Sequence, residues 1–304
     1  MSPGYPGRLV SRAVLLAGVL AISTAAVLIR LCDAPSLVIA AYRLGIASLV
    51  VVPVELVRTR GLPSRRDLGW CVLSGLFLSA HFAAWISSLA YTSVASSVVL
   101  VTTNPLFVGL FSWWVLREPP GRRTAAGIAL GMVGATAIGW GDFRGGAAPL
   151  LGDALALLGA LAASAYLLTG RVARRRLATH TYVAWTYGCC ALFLCAATVA
   201  AGLPLGPYPP ETLGYLVLLA LVPQLVGHTA INWSLAHLTA PTVSVAILGE
   251  VVGASLLAWW VLGEVPGLTT VAGGALICTG IVLALGRGET AAVARADIPG
   301  PAKP

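Results

Sequence analysis

Ten stretches of this chain are apolar over a membrane-spanning length, and no motif constrains its fold as strongly. They lie at 10–29, 36–57, 68–89, 94–116, 122–140, 151–169, 181–201, 212–234, 239–262 and 266–286. A helix needs about 20 mostly apolar residues to cross the hydrocarbon core of a bilayer. Ten such runs occupy most of the 304 residues and leave only short connectors. Charged residues make up only 10% of the chain, against roughly 25% in soluble domains, so a water-soluble globular enzyme is excluded. The expected fold is an all-α membrane protein of ten transmembrane helices. Polar or turn-forming segments mark the breaks: the basic stretch Arg58 to Asp67, Pro119-Pro120-Gly121, Gly141 to Gly146, Arg171 to Arg176, and Gly202 to Pro210. The spans 68–89 and 94–116, separated by a tight polar turn, are expected to form an antiparallel hairpin.

A formal charge of +8 in a soluble protein points to nucleic acid, but here the charge is topological and no nucleic-acid partner is expected. With the N-terminus inside, the inner loops and termini hold Arg8, Arg12, Arg58, Arg60, Arg65, Arg66, Arg117, Arg122, Arg123, Arg171, Arg174, Arg175, Arg176, Arg287, Arg295 and Lys303. Only Arg30 and Arg144 fall outside, and Arg43 lies within a span. The positive-inside rule then places both termini in the cytoplasm of a multi-pass protein of the cell membrane. The first run follows Arg8 and Arg12 as a signal peptide would, but it lacks a small-residue cleavage site before a polar start and is read as a span. Residues 287–304 are Ala, Pro and charge without periodicity and are expected to be a disordered cytoplasmic tail. Five of the six cysteines lie inside apolar runs with no metal-binding spacing and read as packing residues.

The chain also repeats itself. At an offset of 146 residues, Trp113-Trp114-Val115-Leu116-Arg117-Glu118-Pro119-Pro120-Gly121 meets Trp259-Trp260-Val261-Leu262-Gly263-Glu264-Val265-Pro266-Gly267. Thr124, Ala126, Gly127, Leu130 and Gly134 then fall on Thr270, Ala272, Gly273, Leu276 and Gly280. The repeat divides the chain into two five-span units, 10–140 and 151–286. Five is odd, so the second copy enters the membrane from the opposite side. Inverted repeats of this kind characterise alternating-access carriers, with the substrate site near the midplane between the halves.

These residues resemble the EamA family of the drug/metabolite transporter superfamily over positions 10 to 286. The resemblance rests on the doubled WVLxE with its following Gly/Thr/Gly helix, on Ala41-Tyr42-Arg43, on Ala90-Tyr91-Thr92-Ser93 before Asn104-Pro105-Leu106-Phe107, and on Gly152-Asp153. It implies a ten-helix carrier, often an exporter of small metabolites or amino acids, whose cavity is lined by the third, fourth, eighth and ninth helices. The family often has Glu-Pro in the ninth helix. Here Glu250 is followed by Val251, so the proline of that hinge is absent.

Polar groups inside spans cost free energy, about 2.5 to 3.5 kcal/mol for Asp, Lys or Arg at a helix centre, so each invites a functional question. Glu250 lies midway along the ninth span, at the repeat position of Asn104 in the fourth. It reads as a cavity carboxylate that binds a cationic group or takes up a proton, or else as a protonated Glu bonded to neighbouring helices. Gln224, His228 and Asn232 recur every four residues and should share one inward helical face, with Leu221 and Leu225 opposite; an interhelical hydrogen-bond ladder is the plainer alternative. His81, Trp85 and Ser88 repeat that geometry in the third span, His81 being either a ligand or a packing group. Trp85 with Trp233, Tyr166 and Tyr187 supplies aromatic walls or ordinary core. Arg43, in the outer third of the second span, either snorkels outward, pairs with a carboxylate, or meets a substrate carboxylate. Trp113-Trp114 and Trp259-Trp260 read as interface anchors. Glu118 and Glu264 read as clasps accepting from helix N-terminal amides. Pro105 and Pro223 read as bends, and Gly127 with Gly131 as a close helix contact.

The expected function is a secondary carrier that exports small amphipathic metabolites such as amino acids or drugs. Its substrate-binding residues are Glu250, Asn104, His81, Trp85, Gln224, His228, Asn232 and Arg43. No cofactor is expected, and Walker A, HExxH and GxSxG sequences are absent, so the chain is not read as an enzyme. A non-transporting membrane receptor or assembly factor is the rival. The sequence leaves proton coupling and a homodimer open.

Overall fold

Residues 8–59, 61–92, 94–139, 147–263 and 267–285 are described by the computed structural model, and they form an all-helical bundle. In chain order the helices are α1 (Arg8–Ile22), α2 (Ala25–Leu31), α3 (Ser36–Thr59), α4 (Arg65–Ser88), α5 (Val94–Val101), α6 (Asn104–Leu116), α7 (Arg122–Gly139), α8 (Pro149–Ala173), α9 (Thr179–Ala200), α10 (Pro210–Leu219), a π-helical segment (Ala220–His228), α11 (Thr229–Ser234), α12 (Ala240–Ile247), α13 (Gly249–Leu262) and α14 (Leu268–Leu285). Eight helical runs among the described residues are long and apolar enough to cross a membrane. They cover all the expected spans except 122–140 and 266–286, which correspond to α7 and α14 at 18 residues each. Large apolar side chains such as Leu49, Val57, Leu192 and Val282 cover the outside of the bundle, as contact with lipid demands. The protein is a multi-pass membrane protein.

Four of the membrane-length runs are interrupted, each for a local reason. Between α1 and α2, the hydroxyls of Ser23 and Thr24 donate back to the carbonyls of Val19 and Ala21, both at 2.8 Å. Between α5 and α6, Pro105 has no N–H to offer. Thr102 donates to Val98 and Val99 at 2.8 and 3.0 Å, and Thr103 to Leu100 at 2.6 Å. These hydroxyls bond back into the last turn of α5, next to the Val101 carbonyl whose i+4 donor Pro105 lacks. Pro223 lies inside the π-helical segment, where the missing N–H and ring bulk are absorbed by a wider turn. The fourth break, at Leu248 between α12 and α13, forms without the proline that a hinge next to Glu250 was expected to need.

α7 and α14 are pressed backbone to backbone. Cβ atoms added at Gly127 and Gly280 would each reach the other's carbonyl oxygen, at 2.6 and 2.7 Å, and Gly134 and Gly273 stand in the same relation at 2.5 and 2.4 Å. The early residue of one helix meets the late residue of the other, so the two run antiparallel. α4 packs against α8 and α9, and α3 against α9; the expected hairpin partner of α4 meets it mainly near the turn, where Ser88 and Ser97 hydroxyls lie 2.6 Å apart.

One end of the bundle is tied by charge. Glu118, just after α6, takes Arg171 at 3.3 Å and also Arg175. Asp67 at the start of α4 pairs with Arg176 at 3.2 Å, and Glu55 near the end of α3 meets His180 and Thr181, both at 2.7 Å. Glu118 is therefore a salt-bridge acceptor for arginines of the second repeat rather than a clasp on helix amides. Arg171 lies within α8, not in a connector: it is buried and donates to the Leu235 carbonyl at 2.7 Å, which supplies a cation to the end of α11. Trp113, Trp114, Trp259 and Trp260 are exposed near the ends of α6 and α13, where interface anchors would stand. The cysteines are free thiols; Cys71 and Cys190 are buried and Cys278 is exposed. Glu264, Arg144, the Gly141 to Gly146 break and the 287–304 tail lie outside the described residues.

Candidate functional site

The helix breaks converge on an internal cavity of about 70 Å³. A single water needs roughly 10–15 Å³ of such space, so the cavity accommodates several waters or a small polar group. Ile22 and Ala25 flank the first break, Thr102 and Asn104 the second, His228 closes the π-helical segment, and Ile247 and Glu250 flank the break at Leu248; all line the cavity. Arg43 of α3, His81, Phe82 and Trp85 of α4, and Tyr166 of α8 complete its polar and aromatic wall. Residues from both halves of the chain thus contribute, and helices beyond the expected third, fourth, eighth and ninth take part.

Arg43 is 1% exposed and does not snorkel. Its Nε donates to Gln224 Oε1 at 2.9 Å, and its guanidinium carbon sits 4.3 Å from the centre of the Phe82 ring, a cation–π contact. It forms no ion pair among the described residues, and its Nη1 has no hydrogen-bond partner. Eight residues into α3 and covered on all sides, the side chain cannot reach the membrane surface, so the snorkelling expectation fails. Glu250, in the first turn of α13, lies close enough to feel the Arg43 charge through space.

His81 donates from Nδ1 to the Gly159 carbonyl at 3.0 Å, which leaves Nε2 as the acceptor of the neutral ring. Its ring stacks on Trp85 with centroids 5.9 Å apart. His228 meets Phe82 edge-on at 5.4 Å. Several buried polar atoms around the cavity have no hydrogen-bond partner: Nη1 of Arg43, Nε1 of Trp85, Oδ1 of Asn104, Nδ1 of His228 and Nε2 of Gln224. Unsatisfied buried polar groups are rare in folded proteins because each costs about 1–3 kcal/mol. Other such atoms, on Ser112, Tyr182, Trp185 and Thr186, lie elsewhere, but those of Arg43, Trp85, Asn104 and His228 belong to residues that line the cavity and are placed to meet a ligand.

Gln224, His228 and Asn232 do not share one face of an α-helix. The π turn shifts the register, so His228 lines the cavity while Gln224 and Asn232 are fully buried behind the wall. Gln224 holds Arg43. Asn232 accepts from the Tyr166 hydroxyl at 2.9 Å and reaches Tyr187 at 3.4 Å, which is the plainer ladder reading. Tyr187 therefore belongs to the supporting layer. Trp233 lies against the tilted ring of His237, centroids 4.1 Å apart, and does not line the cavity. The sequence reading missed Phe82, Thr102 and Ile22. The first sits between two flagged positions, His81 and Trp85, but apolar and hydroxyl residues carry no signal of their own in such a chain.

Membrane-length helices around a largely apolar cavity that holds a few buried polar groups are the architecture of a membrane transporter. The chain belongs to the EamA-like transporter family, whose sequence profile matches residues 11–140 and 150–286. It is 24% identical over 232 residues to an "Uncharacterized transporter" of Archaeoglobus fulgidus, covering 74% of this chain and 79% of that one. A Clostridium kluyveri "Uncharacterized transporter" is 23% identical over 257 residues, covering 80% of each. Over 80 residues, 26% of this chain, it is 31% identical to a Klebsiella pneumoniae protein named as a probable 4-amino-4-deoxy-L-arabinose-phosphoundecaprenol flippase subunit, of which 71% is covered. A solved crystal structure shares the fold, with a TM-score of 0.75 at 19% identity over 91% of this chain and 98% of that one.

Proposed function

We propose that the chain is a secondary carrier that moves small amphipathic metabolites, of the amino acid or drug kind, outward across the cytoplasmic membrane by alternating access. It spans the bilayer ten times as two inverted five-helix halves, 10–140 and 151–286, with both termini cytoplasmic. The single observation that carries the reading is the cavity between the repeats, lined by Glu250, Asn104, His81, Trp85, His228 and Arg43 and backed by Gln224 and Asn232, with unpartnered polar atoms around it.

The inverted arrangement is supported by the glycine contacts. Gly127 and Gly273 are repeat equivalents, as are Gly134 and Gly280, yet Gly127 touches Gly280 and Gly134 touches Gly273. Two antiparallel helices that exchange partners in this way are related by a twofold axis perpendicular to both, which lies in the membrane plane. Phe82 and His228, also 146 positions apart, meet across the cavity in the same manner. Alternating access follows if the breaks at the cavity let one half rock against the other, with the Glu118, Asp67 and Glu55 pairs closing the arginine-rich end.

Proteoliposomes carrying the full chain test this directly, screened for flux of amino acids and cationic drugs. Substrate-dependent flux is expected, and its absence across the panel sinks the carrier reading. Proton coupling through Glu250 is tested by comparing wild type with Glu250→Gln, with and without a pH gradient. An equal response of both proteins to the gradient eliminates that role.

A further inference from the structure

We propose that Arg43 is the anion-binding group of the cavity and that the transported molecule carries a carboxylate on a small apolar body. The inference rests on the cavity being the substrate site and deepens that reading.

Arg43 is a buried cation whose Nε is hydrogen-bonded and whose Nη1 is not. Gln224 fixes the Nε edge at 2.9 Å and the Phe82 ring covers one face, so the guanidinium cannot swing to another partner. Its Nη1 is unpartnered, and no acidic side chain among the described residues is ion-paired with it. The indole Nε1 of Trp85 and the amide Nε2 of Gln224 are likewise buried donors without acceptors. A planar guanidinium held by one edge and accompanied by neutral donors matches the fork of a carboxylate better than any neutral group. No ion pair joins Glu250 to this guanidinium among the described residues, so Nη1 remains available to an anion. Much of the remaining wall is apolar, with Ile22, Val98, Val101 and Leu167, and suits an apolar body. A purely cationic substrate would instead seek Glu250 and Asn104, leaving the Arg43 donors unused.

Propionate, propionamide and propylamine differ in charge while keeping one short chain, and serve as probes of the purified full-length protein in lipid nanodiscs by calorimetric titration. Propionate is expected to bind at least about tenfold more tightly than propionamide, the loss that follows when a charged hydrogen-bond acceptor is made neutral. Arg43→Gln should abolish the preference. Trp85→Phe, which keeps the aromatic wall and removes one donor, should weaken propionate more than propionamide. The proposal is overturned if propionamide binds as well as propionate, if propylamine binds best, if none of the three binds, or if Arg43→Gln retains the preference for propionate. Should Arg43→Gln fail to fold, the wild-type comparison and Trp85→Phe decide the matter alone. Flux of cations without carboxylates in the proteoliposome screen would remove this inference and spare the carrier reading; propionate binding without flux of any compound would do the reverse.

Discussion

Gly127 of α7 and Gly280 of α14 touch backbone to backbone: a Cβ on either would stand within 2.7 Å of the other's carbonyl oxygen. The obstacle is main chain, which cannot turn aside as a flexible side chain can, so a substituent must separate the helices. Gly127→Val is expected to destabilise the fold by about 1–3 kcal/mol or more, seen as a lower unfolding temperature in detergent. Gly45 of α3 has nothing within 4 Å of such an atom, and Gly45→Ala should be neutral or slightly stabilising, as helix propensity dictates. Equal effects at both positions would refute the contact.

Arg171 and Arg175 both reach Glu118 but live in different surroundings, their side chains 4% and 48% exposed. An exposed ion pair contributes about 0–1 kcal/mol, whereas removing one partner of a buried one costs about 3–5 kcal/mol. Arg171 also donates to the Leu235 carbonyl. Arg171→Met should therefore lower thermal stability well beyond Arg175→Met. The ordering, read from parallel melting curves, checks whether this tie is structural at Arg171 and superficial at Arg175.

The division between what the sequence discloses and what it conceals follows from the solvent. In a chain whose default residue is apolar, a charge or imidazole is conspicuous, and Arg43, His81, Asn104, His228 and Glu250 all line one cavity. The repeat likewise announced the glycines of α7 and α14. What stayed hidden depends on backbone deviations. The π turn around Pro223 moved Gln224 and Asn232 off the His228 face, because a spacing of four residues defines a face only while the helix is α. The break at Leu248 arises with no proline beside it, and the interruptions at Ser23–Thr24 and Thr102–Thr103 rest on hydroxyl back-bonds that leave hydropathy unchanged. Arg43 showed its importance in the sequence but not its depth, since a partner 181 residues away holds it.

His237 lies in the connector between α11 and α12, where burial pushes its pKa below the usual 6.5 and the charges of Arg174 and Arg171 push it further, against a hydrogen bond to the Trp233 carbonyl at 3.0 Å. The folded state then binds fewer protons than the unfolded state as acid is added. A group of depressed pKa whose neutral form is favoured by folding contributes stability that is present above its unfolded value and lost as pH falls toward the folded one. Wild-type unfolding temperature should drop between about pH 7 and pH 5, and His237→Gln should flatten that part of the profile. Superimposable profiles would show that the connector loosens enough to let the protonated ring reach water.

Asn232 joins Tyr166, a cavity residue, to Tyr187 behind it: its amide donates to the Tyr166 hydroxyl at 2.6 Å and its carbonyl accepts from the same group at 2.9 Å. All three side chains are buried. Asn232→Leu nearly conserves volume while stranding the Tyr166 hydroxyl away from water, for which a cost of about 1–3 kcal/mol is expected. Asn232→Leu with Tyr166→Phe removes both partners and should recover most of that loss, because apolar groups of matching shape need no hydrogen bonds. The pair therefore separates a support role from a direct one. If Asn232 served only to hold Tyr166, the double variant would restore stability and flux together; flux that stays low while stability returns would place the Asn232 amide or the Tyr166 hydroxyl on the transported molecule itself.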